Sequence, residues 1–337
     1  MDQWLSLDDD RKKRAYARIA EDMGMSSFAV EKDWWVVQTI SVVFDTEVSA
    51  HMVFKGGTSL SKAWGLIERF SEDVDLAIDR EYFGYKGELS RKQVSELRKE
   101  ANAFTSGVFF EDLKKRFSER GLFGVDLQLG ETESSDQDPR VIDVFYPNLI
   151  PSPGYMKAKV QIEVGCRSLR DPFTHREVHS LVDQAFPGMS LSGPSVSVPS
   201  VNPERTFLEK IFLLHEEFQR PVDKVRVDRL SRHIYDVVKL AGSEFAAKAL
   251  TNVDLYKTIV PHRYRFARVG GVDYKTHQPQ TIDPLPIKHI SDAWRADYNT
   301  MVEQMIYEKE PPTYDQAIGL LTELKARINV LNWSFEM

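Results

Sequence analysis

The sequence predicts an α/β fold in which a small mixed sheet is followed by a mainly helical C-terminal region. Three observations lead to this prediction. Residues 73–79 and 157–164 alternate apolar and polar side chains, which is the period of a half-buried strand. Gly56 and Gly57 follow a short apolar run and precede a helical pattern, as in a strand-turn-helix unit. Beyond residue 203, apolar residues recur mostly at helical spacing.

The elements follow in chain order from the same periodicities and from Gly, Pro and Ser breakers. The predicted helices are 14–23, 30–44, 90–97, 101–120, 204–218, 228–241, 244–250, 291–306 and 313–330. The predicted strands are 51–55, 73–79, 141–146 and 157–164. Residues 260–290 are expected to be irregular.

These elements predict three regions. Residues 1–50 form a helical segment that packs on the core. Residues 51–200 form the main domain, with an inserted segment at about 81–140. A Pro/Gly/Ser-rich connector at 187–203 leads into a helical C-terminal domain, 201–337, which is expected to complete the active-site cleft.

Composition limits the classes of protein. With 42% hydrophobic residues in 337, the chain can bury a sizeable core. Its formal net charge of −7 is not typical of a non-specific nucleic-acid binder, although a local basic cleft remains open. The single cysteine, Cys166, excludes an internal disulfide and argues against a Cys-based zinc site. No secretory h-region and no apolar run of ~18 residues is present, so we expect a cytoplasmic protein without membrane contact.

Asp73 and Asp75 are the first candidates for chemistry. Residues two apart in a strand project on the same side, so the two carboxylates share one surface. They repel each other unless a cation neutralises them, and oxygen ligands suit Mg²⁺. Taken alone, such a pair more often marks a solvated strand face.

The glycine turn strengthens that reading. Glycines that end a strand let the backbone approach a ligand closely, and the following N–H groups face an anion. Gly56, Gly57, Thr58 and Ser59 therefore predict a phosphate cradle, although the spacing is not that of a Walker A loop. Alone, the glycine turn could be a simple strand-to-helix connection. Together with the Asp73–Asp75 strand that follows, it predicts nucleotidyl transfer with Mg²⁺ or Mn²⁺ and an NTP substrate.

Several segments resemble one family. FKGGTSLSKAW and ERFSEDVDLAID are similar to the AbiEii/AbiGii-type (MenT-like) nucleotidyltransferase toxins of the polymerase β-like superfamily. EKDWW, PERTFLEKIFLLH and SRHIYDVVKL resemble further motifs of that family, as do ADYNTMVEQMIY and RINVLN near the C-terminus. The resemblance runs from about residue 30 to the end and is weakest in the insert. It implies a polymerase β-like core.

The resemblance also implies roles for individual residues. Gly57 and Ser59 match the positions that hold the nucleotide phosphates, and Asp73 and Asp75 match the metal-binding pair. Lys210 matches the motif lysine, which contacts the triphosphate.

Two residues on a later helix extend this set. Asp236 matches the later motif aspartate, which orders the active site or assists metal and nucleotide binding. Lys239, one turn further, is expected to line the same cleft and bind nucleotide.

The residues around these motifs add three features. The polymerase β-like superfamily often places a third carboxylate on a neighbouring strand, so the resemblance implies a catalytic-base or metal-binding role for Glu163, on the polar face of the 157–164 strand; Lys159 on the same face could contact phosphate instead. Arg69 and Ser71 precede Asp73 and are placed to steer its loop. Residues 262–268 (HRYRFAR) interleave basic and aromatic groups, as RNA-contacting segments do.

The leading functional hypothesis is transfer of NMP from an NTP to tRNA, another RNA or a protein. The resemblance implies the toxin of a toxin–antitoxin or abortive-infection system with a cognate antitoxin. Two alternatives stay open: an antibiotic-type nucleotidyltransferase acting on a small molecule, and an inactive module that binds nucleotide or RNA. Intact Gly57, Ser59, Asp73 and Asp75 argue against inactivity.

Overall fold

The computed structural model describes residues 4–152, 156–187 and 195–336, and it confirms the α/β class. Residues 188–194 of the predicted connector lie outside the described residues. The chain divides into two compact units. The first contains Met1–Gly65 and Phe70–Val201, and the second contains Leu66–Arg69 and Asn202–Met337.

The first unit is built on a mixed sheet. Its strands are β1 (Met52–Lys55), β2 (Asp73–Ile78), β3 (Asp126–Leu129), β4 (Arg140–Phe145), β5 (Lys159–Gly165), β6 (Phe173–Val178) and β7 (Val196–Val201). Their order is β3-β4-β5-β2-β1-β7-β6. The pairs β2–β5 and β1–β7 are parallel, and the other neighbours are antiparallel.

Strand β7 corrects the prediction of a connector at 187–203. Residues 196–201 pair antiparallel with β6 along their whole length. The Ser-Val-Ser-Val alternation is a strand signal, which Pro199 obscured because proline cannot donate to a ladder. The pairing between β7 and β1 is confined to Phe54 and Ser200. Pro199 is therefore not part of that pairing, and its missing N–H is tolerated.

Six helices of the described first unit accompany the sheet: α1 (Asp9–Met23), α2 (Ser27–Phe44), α3 (Gly56–Lys62), α4 (Arg91–Phe104), α5 (Phe110–Glu119) and α6 (Leu181–Ala185). A π-helical segment, Thr105–Phe109, joins α4 to α5 within the predicted insert. Helix α2 is buried over nearly its whole surface because it packs on β2, β5 and β7 and also on α1, α5 and α6. Val74, Leu76 and Ile162 are fully buried, so the acidic residues that alternate with them project to the opposite side of the sheet.

The described second unit is helical, as predicted. Its helices are α7 (Pro203–Phe218), α8 (Arg232–Ala241), α9 (Glu244–Thr251), α10 (Val253–Phe266), α11 (Ser291–Met305) and α12 (Tyr314–Asn329). Helix α10 is partly a correction, because its last turns fall in the stretch expected to be irregular. It contains Pro261, which removes one backbone hydrogen bond. Buried Tyr256, Ile259 and Val260 hold the helix in place despite that loss.

The second unit contains a cluster of ionisable side chains around the buried carboxylate of Glu216. Arg263 on α10 pairs with the Glu216 carboxylate, its Nε lying 2.8 Å from Oε1, and His277 Nε2 lies 3.1 Å from the same oxygen. Arg263 is therefore committed to an internal contact, and an RNA-contacting role for the other residues of 262–268 stays a prediction. Burial raises the pKa of Glu216, but the hydrogen bonds from Arg263 and His277 outweigh it and lower the pKa to about 2.

Glu216→Gln should destabilise the protein in a pH-dependent way. The folded pKa lies below the unfolded one, so the stabilisation is complete above about pH 4.5 and is lost as pH falls towards 2. We expect a loss of about 3 kcal/mol in the free energy of unfolding at pH 7, falling to about half at pH 3. Urea unfolding at both pH values measures this. Glu244→Gln, at an exposed site, is the control, and an equal loss at both pH values would contradict the prediction.

Candidate active site

The glycine turn lies directly against the aspartate strand. Strand β1 pairs with β2 so that Lys55 is opposite Asp75, and Gly56 follows at once. Gly56 has φ +78°, and a Cβ atom there would lie 2.0 Å from Asp75 Oδ2. Only glycine permits this conformation and this approach together. The glycine turn and the Asp75 carboxylate therefore lie next to each other on one surface.

The two hydroxyls of the turn have different surroundings. The Thr58 hydroxyl donates to the carbonyl oxygen of Asp73 at 2.5 Å, so it fixes the start of β2 rather than facing a ligand. The Ser59 hydroxyl is buried and has no hydrogen-bond partner within the described ranges. A buried, unpaired donor is unfavourable, and a phosphate oxygen would satisfy it. Gly57 is buried in the same first turn of α3.

The sheet register brings the predicted carboxylates to one face. Asp73 pairs with Gln161 and Asp75 with Glu163 on the parallel strand β5. Paired residues on neighbouring strands project to the same side, so Glu163 lies beside Asp75. The register therefore puts these three carboxylates on one face of the sheet.

Asp143 on β4 is a fourth acid on this face, which the sequence reading missed. It is paired with Gln161 in register, and its carboxylate accepts from Lys159 Nζ at 2.7 Å and from Gln161 Nε2 at 2.8 Å. Lys159 thus neutralises Asp143, which weakens the alternative that it contacts phosphate. The alternation within 141–146 was the signal that could have identified Asp143.

The donor set fits a hard divalent cation. Asp73 and Asp75 offer carboxylate oxygens on one strand face, which is the ligand chemistry of Mg²⁺. Among the residues that the structure describes, no group of three or more His, Cys, Asp or Glu side chains is arranged to hold a metal ion. The remaining ligands would therefore come from phosphate oxygens and water, as Mg²⁺ commonly arranges.

Three consecutive charged residues of α2 support this surface, and all are buried. Glu31 accepts from the amides of Leu149 and Ile150 at 2.6 and 2.9 Å. Lys32 pairs with Glu72, the residue before Asp73, and donates to the carbonyl of Lys157 at 2.7 Å. It therefore connects the beginnings of β2 and β5.

Asp33, the third residue, supports the helix of the glycine turn. It pairs with Lys62 at the end of α3 and accepts from the Leu181 amide at 2.7 Å. Burial raises the pKa of Asp33, and Lys62 acts against that rise. Lys32 and Asp33 of the EKD motif thus anchor the residues that precede β2 and β5 and the end of α3, contacts that periodicity could not reveal.

Lys32→Met should lower the free energy of unfolding by about 3 kcal/mol or more, because it leaves Glu72 buried without its cation. Replacing both partners, Lys32→Met with Glu72→Met, removes the buried charge and should restore part of the loss. Urea unfolding of the three proteins tests this. A double variant no more stable than Lys32→Met would refute the account.

The second unit gathers the other predicted residues around Asp236, which is fully buried. Arg69 Nε and Nη2 lie 2.6 and 2.8 Å from its two oxygens, a bidentate pair. Lys210 Nζ lies 2.8 Å from Oδ2. Both oxygens of Asp236 are thus engaged with cations, which favours its ordering role over a direct role in holding metal. Arg69, which precedes β2, belongs to this cluster.

The charges of the cluster set its protonation. Burial alone would raise the pKa of Asp236, but Arg69 and Lys210 outweigh it and hold the pKa well below its ordinary value. Burial lowers the pKa of Lys210, and the shared carboxylate offsets this only in part. Lysine can only donate, so the contact of 3.2 Å to His233 Nδ1 places the imidazole proton on Nε2. Burial also lowers the pKa of His233, which keeps it neutral.

Lys239 is held by a neighbour in the same unit. Its ammonium lies 2.6 Å from Glu308 Oε1, and Tyr235 donates to the other oxygen at 2.8 Å. A direct contact between Lys239 and nucleotide therefore stays a prediction, and it would require the lysine to leave or share Glu308.

Comparison with known proteins gives a clear family match. Residues 43–319 match the model described as nucleotidyl transferase AbiEii toxin, type IV toxin–antitoxin system. EKDWW and RINVLN lie outside the matched range. Among curated protein sequences, none is significantly similar to the chain.

Two solved structures are similar to the chain at low identity. MenT4, a nucleotidyltransferase toxin from Mycobacterium tuberculosis H37Rv, is 17% identical with a TM-score of 0.44, over 93% of this chain and 92% of its own. JHP933 from Helicobacter pylori is 12% identical with a TM-score of 0.42, over 90% and 94%.

No helix within the described ranges is long and apolar enough to span a membrane. The match over residues 43–319 covers most of the chain, and this range includes the glycine turn and the aspartate strand. The chain therefore belongs to the AbiEii family of nucleotidyltransferase toxins.

Proposed function

We propose that this toxin transfers NMP from an NTP to a hydroxyl of RNA, with tRNA as the first candidate, using Mg²⁺ or Mn²⁺. The observation that carries the proposal is the close approach of Gly56 to the Asp75 carboxylate, where a Cβ atom on residue 56 would lie 2.0 Å from Oδ2. This approach supports a site in which the backbone N–H groups that begin α3 bind phosphate next to acidic metal ligands. We propose the cytoplasm as its compartment, because NTPs and tRNA are found there.

The residues divide the work as follows. Asp73 and Asp75 hold the cation, which neutralises phosphate charge when bound. Gly57 and Ser59 receive phosphate oxygens through the backbone amide and the unpaired hydroxyl. Asp236 orders Lys210, which is expected to contact the triphosphate.

Glu163, beside Asp75, is the proposed base. The acceptor hydroxyl loses its proton to Glu163 as its oxygen bonds to the α-phosphorus. The bond from that phosphorus to the bridging oxygen breaks, and pyrophosphate leaves.

The AbiEii family implies a cognate antitoxin. We propose that it opposes the toxin's effect in the cell, so expression of the toxin alone should arrest growth. The same arrest should be absent from the Asp75→Ala variant.

Transfer of label from each α-³²P-labelled NTP to purified tRNA, other RNA, cell protein and small-molecule acceptors tests the proposal. Label on RNA that requires Asp75 and a divalent cation supports it. Label on protein or only on a small molecule overturns the acceptor and leaves nucleotidyl transfer. Binding of NTP without transfer to any acceptor overturns the catalytic assignment.

A further inference from the structure

Lys55 is a cation on the acidic face that the sequence reading did not single out. It is the last residue of β1, directly before Gly56, and it is opposite Asp75 in the antiparallel register. Cross-strand partners project to the same side of a sheet, so Lys55 shares the face of Asp75. The β2–β5 register adds Glu163 to that face. The side chain is half-buried.

The neighbouring lysines of this unit are committed to internal carboxylates. Lys32 pairs with Glu72, Lys62 with Asp33 and Lys159 with Asp143. Lys55 differs, because across the part of the chain that the structure describes its ammonium has no ion pair or hydrogen bond. It is paired in register with Asp75, yet no ion pair joins the two side chains.

Two donors without partners therefore flank the glycine turn. The Lys55 ammonium lies on the residue before Gly56, and the buried Ser59 hydroxyl lies three residues after it. A phosphate group suits either donor, since it carries negative charge and several acceptor oxygens.

We propose that Lys55 binds a phosphate of the NTP in the first unit, a contact separate from that expected of Lys210. This inference rests on the proposed function. Because an ammonium is a point charge on a flexible stem, it can follow the phosphate without a fixed geometry. Lys55 would also offset part of the charge that Asp75 and Glu163 present to an incoming triphosphate.

Binding measured without chemistry tests the proposal. The probes are the α,β-methylene analogues of ATP, GTP, CTP and UTP with Mg²⁺, titrated by calorimetry into wild type, Lys55→Met, Lys55→Arg and Lys92→Met. Lys55→Met should raise the Kd for the preferred analogue by about tenfold or more, and Lys55→Arg should raise it by only about threefold. Lys92→Met removes the same charge from an 86% exposed side chain on α4 and should bind as wild type does.

The outcomes separate this inference from the proposed function. In transfer assays, Lys55→Met should raise KM for the NTP more than it lowers kcat. If Lys55→Met binds the analogue as tightly as wild type, the role of Lys55 is wrong while nucleotidyl transfer stands. If Lys92→Met weakens binding equally, a general charge effect replaces the specific contact. If wild type binds none of the four analogues, both the inference and the proposed function are overturned. Unchanged thermal midpoints confirm that the variants are folded.

Discussion

Asp75→Asn is expected to lower kcat for NMP transfer by about 10³-fold, because it removes one of the two carboxylates that we propose hold the cation. The side chain keeps its size, so Gly56 can still pack against it. Initial rates with saturating NTP and Mg²⁺ measure the loss. Asp126→Asn, an exposed aspartate on β3, is the matched control and should leave the rate unchanged.

A second measurement on Asp75→Asn does not depend on turnover. Without metal, the variant should be as stable as wild type or more so, because repulsion with Asp73 is relieved. Addition of Mg²⁺ should raise the thermal midpoint of wild type and not that of the variant, since only the former binds the ion in its folded state. A rate within tenfold of wild type, or an equal Mg²⁺ response, would show that the metal is held elsewhere.

Gly56→Ala should remove activity by a different route. Its φ of +78° costs an L-residue about 1–2 kcal/mol, and the new Cβ would lie 2.0 Å from Asp75 Oδ2. The carboxylate must move to relieve that contact. Since a displacement of about 1 Å at a reacting centre can cost about 100-fold, we expect a loss of kcat at least that large.

Gly84→Ala is the matched control for backbone strain. Gly84 has φ +81°, and a Cβ there would meet nothing within 4 Å. Both variants should lose stability in urea unfolding, Gly56→Ala more than Gly84→Ala, but only Gly56→Ala should lose activity. Equal effects on activity would mean that general destabilisation is responsible and that the close approach to Asp75 has no functional weight.

Four of the seven described strands of the first unit were predicted because their signals are local, whereas β3, β6 and β7 were missed. Alternation in residues 73–79 and 157–164 located β2 and β5, and the glycine pair located the turn. Asp143 also lay in a predicted strand, but its importance depends on β4 pairing with β5, which is a long-range fact. Pro199 and Pro261 hid a strand and part of a helix, because tertiary packing overrides the local penalty of proline.

The second unit shows what periodicity cannot reveal. A helical pattern placed Lys210 and Asp236 on separate helices but could not show that Arg69 takes both oxygens of Asp236. Nor could it show that Glu308 holds Lys239. Such contacts join residues more than 60 positions apart. From sequence alone, a charged side chain on a helix is therefore predicted to be solvated, because its partner is not known.

The segment Leu66–Arg69 also bears on how this family can recombine. It belongs to the second, helical unit although the chain on both sides belongs to the first unit. The two units are therefore interleaved in the amino-acid sequence. A single crossover at residue 201 between two divergent relatives would join an arginine inherited from one parent to an aspartate inherited from the other. Chimaeras should therefore be stable and active only when Leu66–Arg69 is exchanged together with Asn202–Met337.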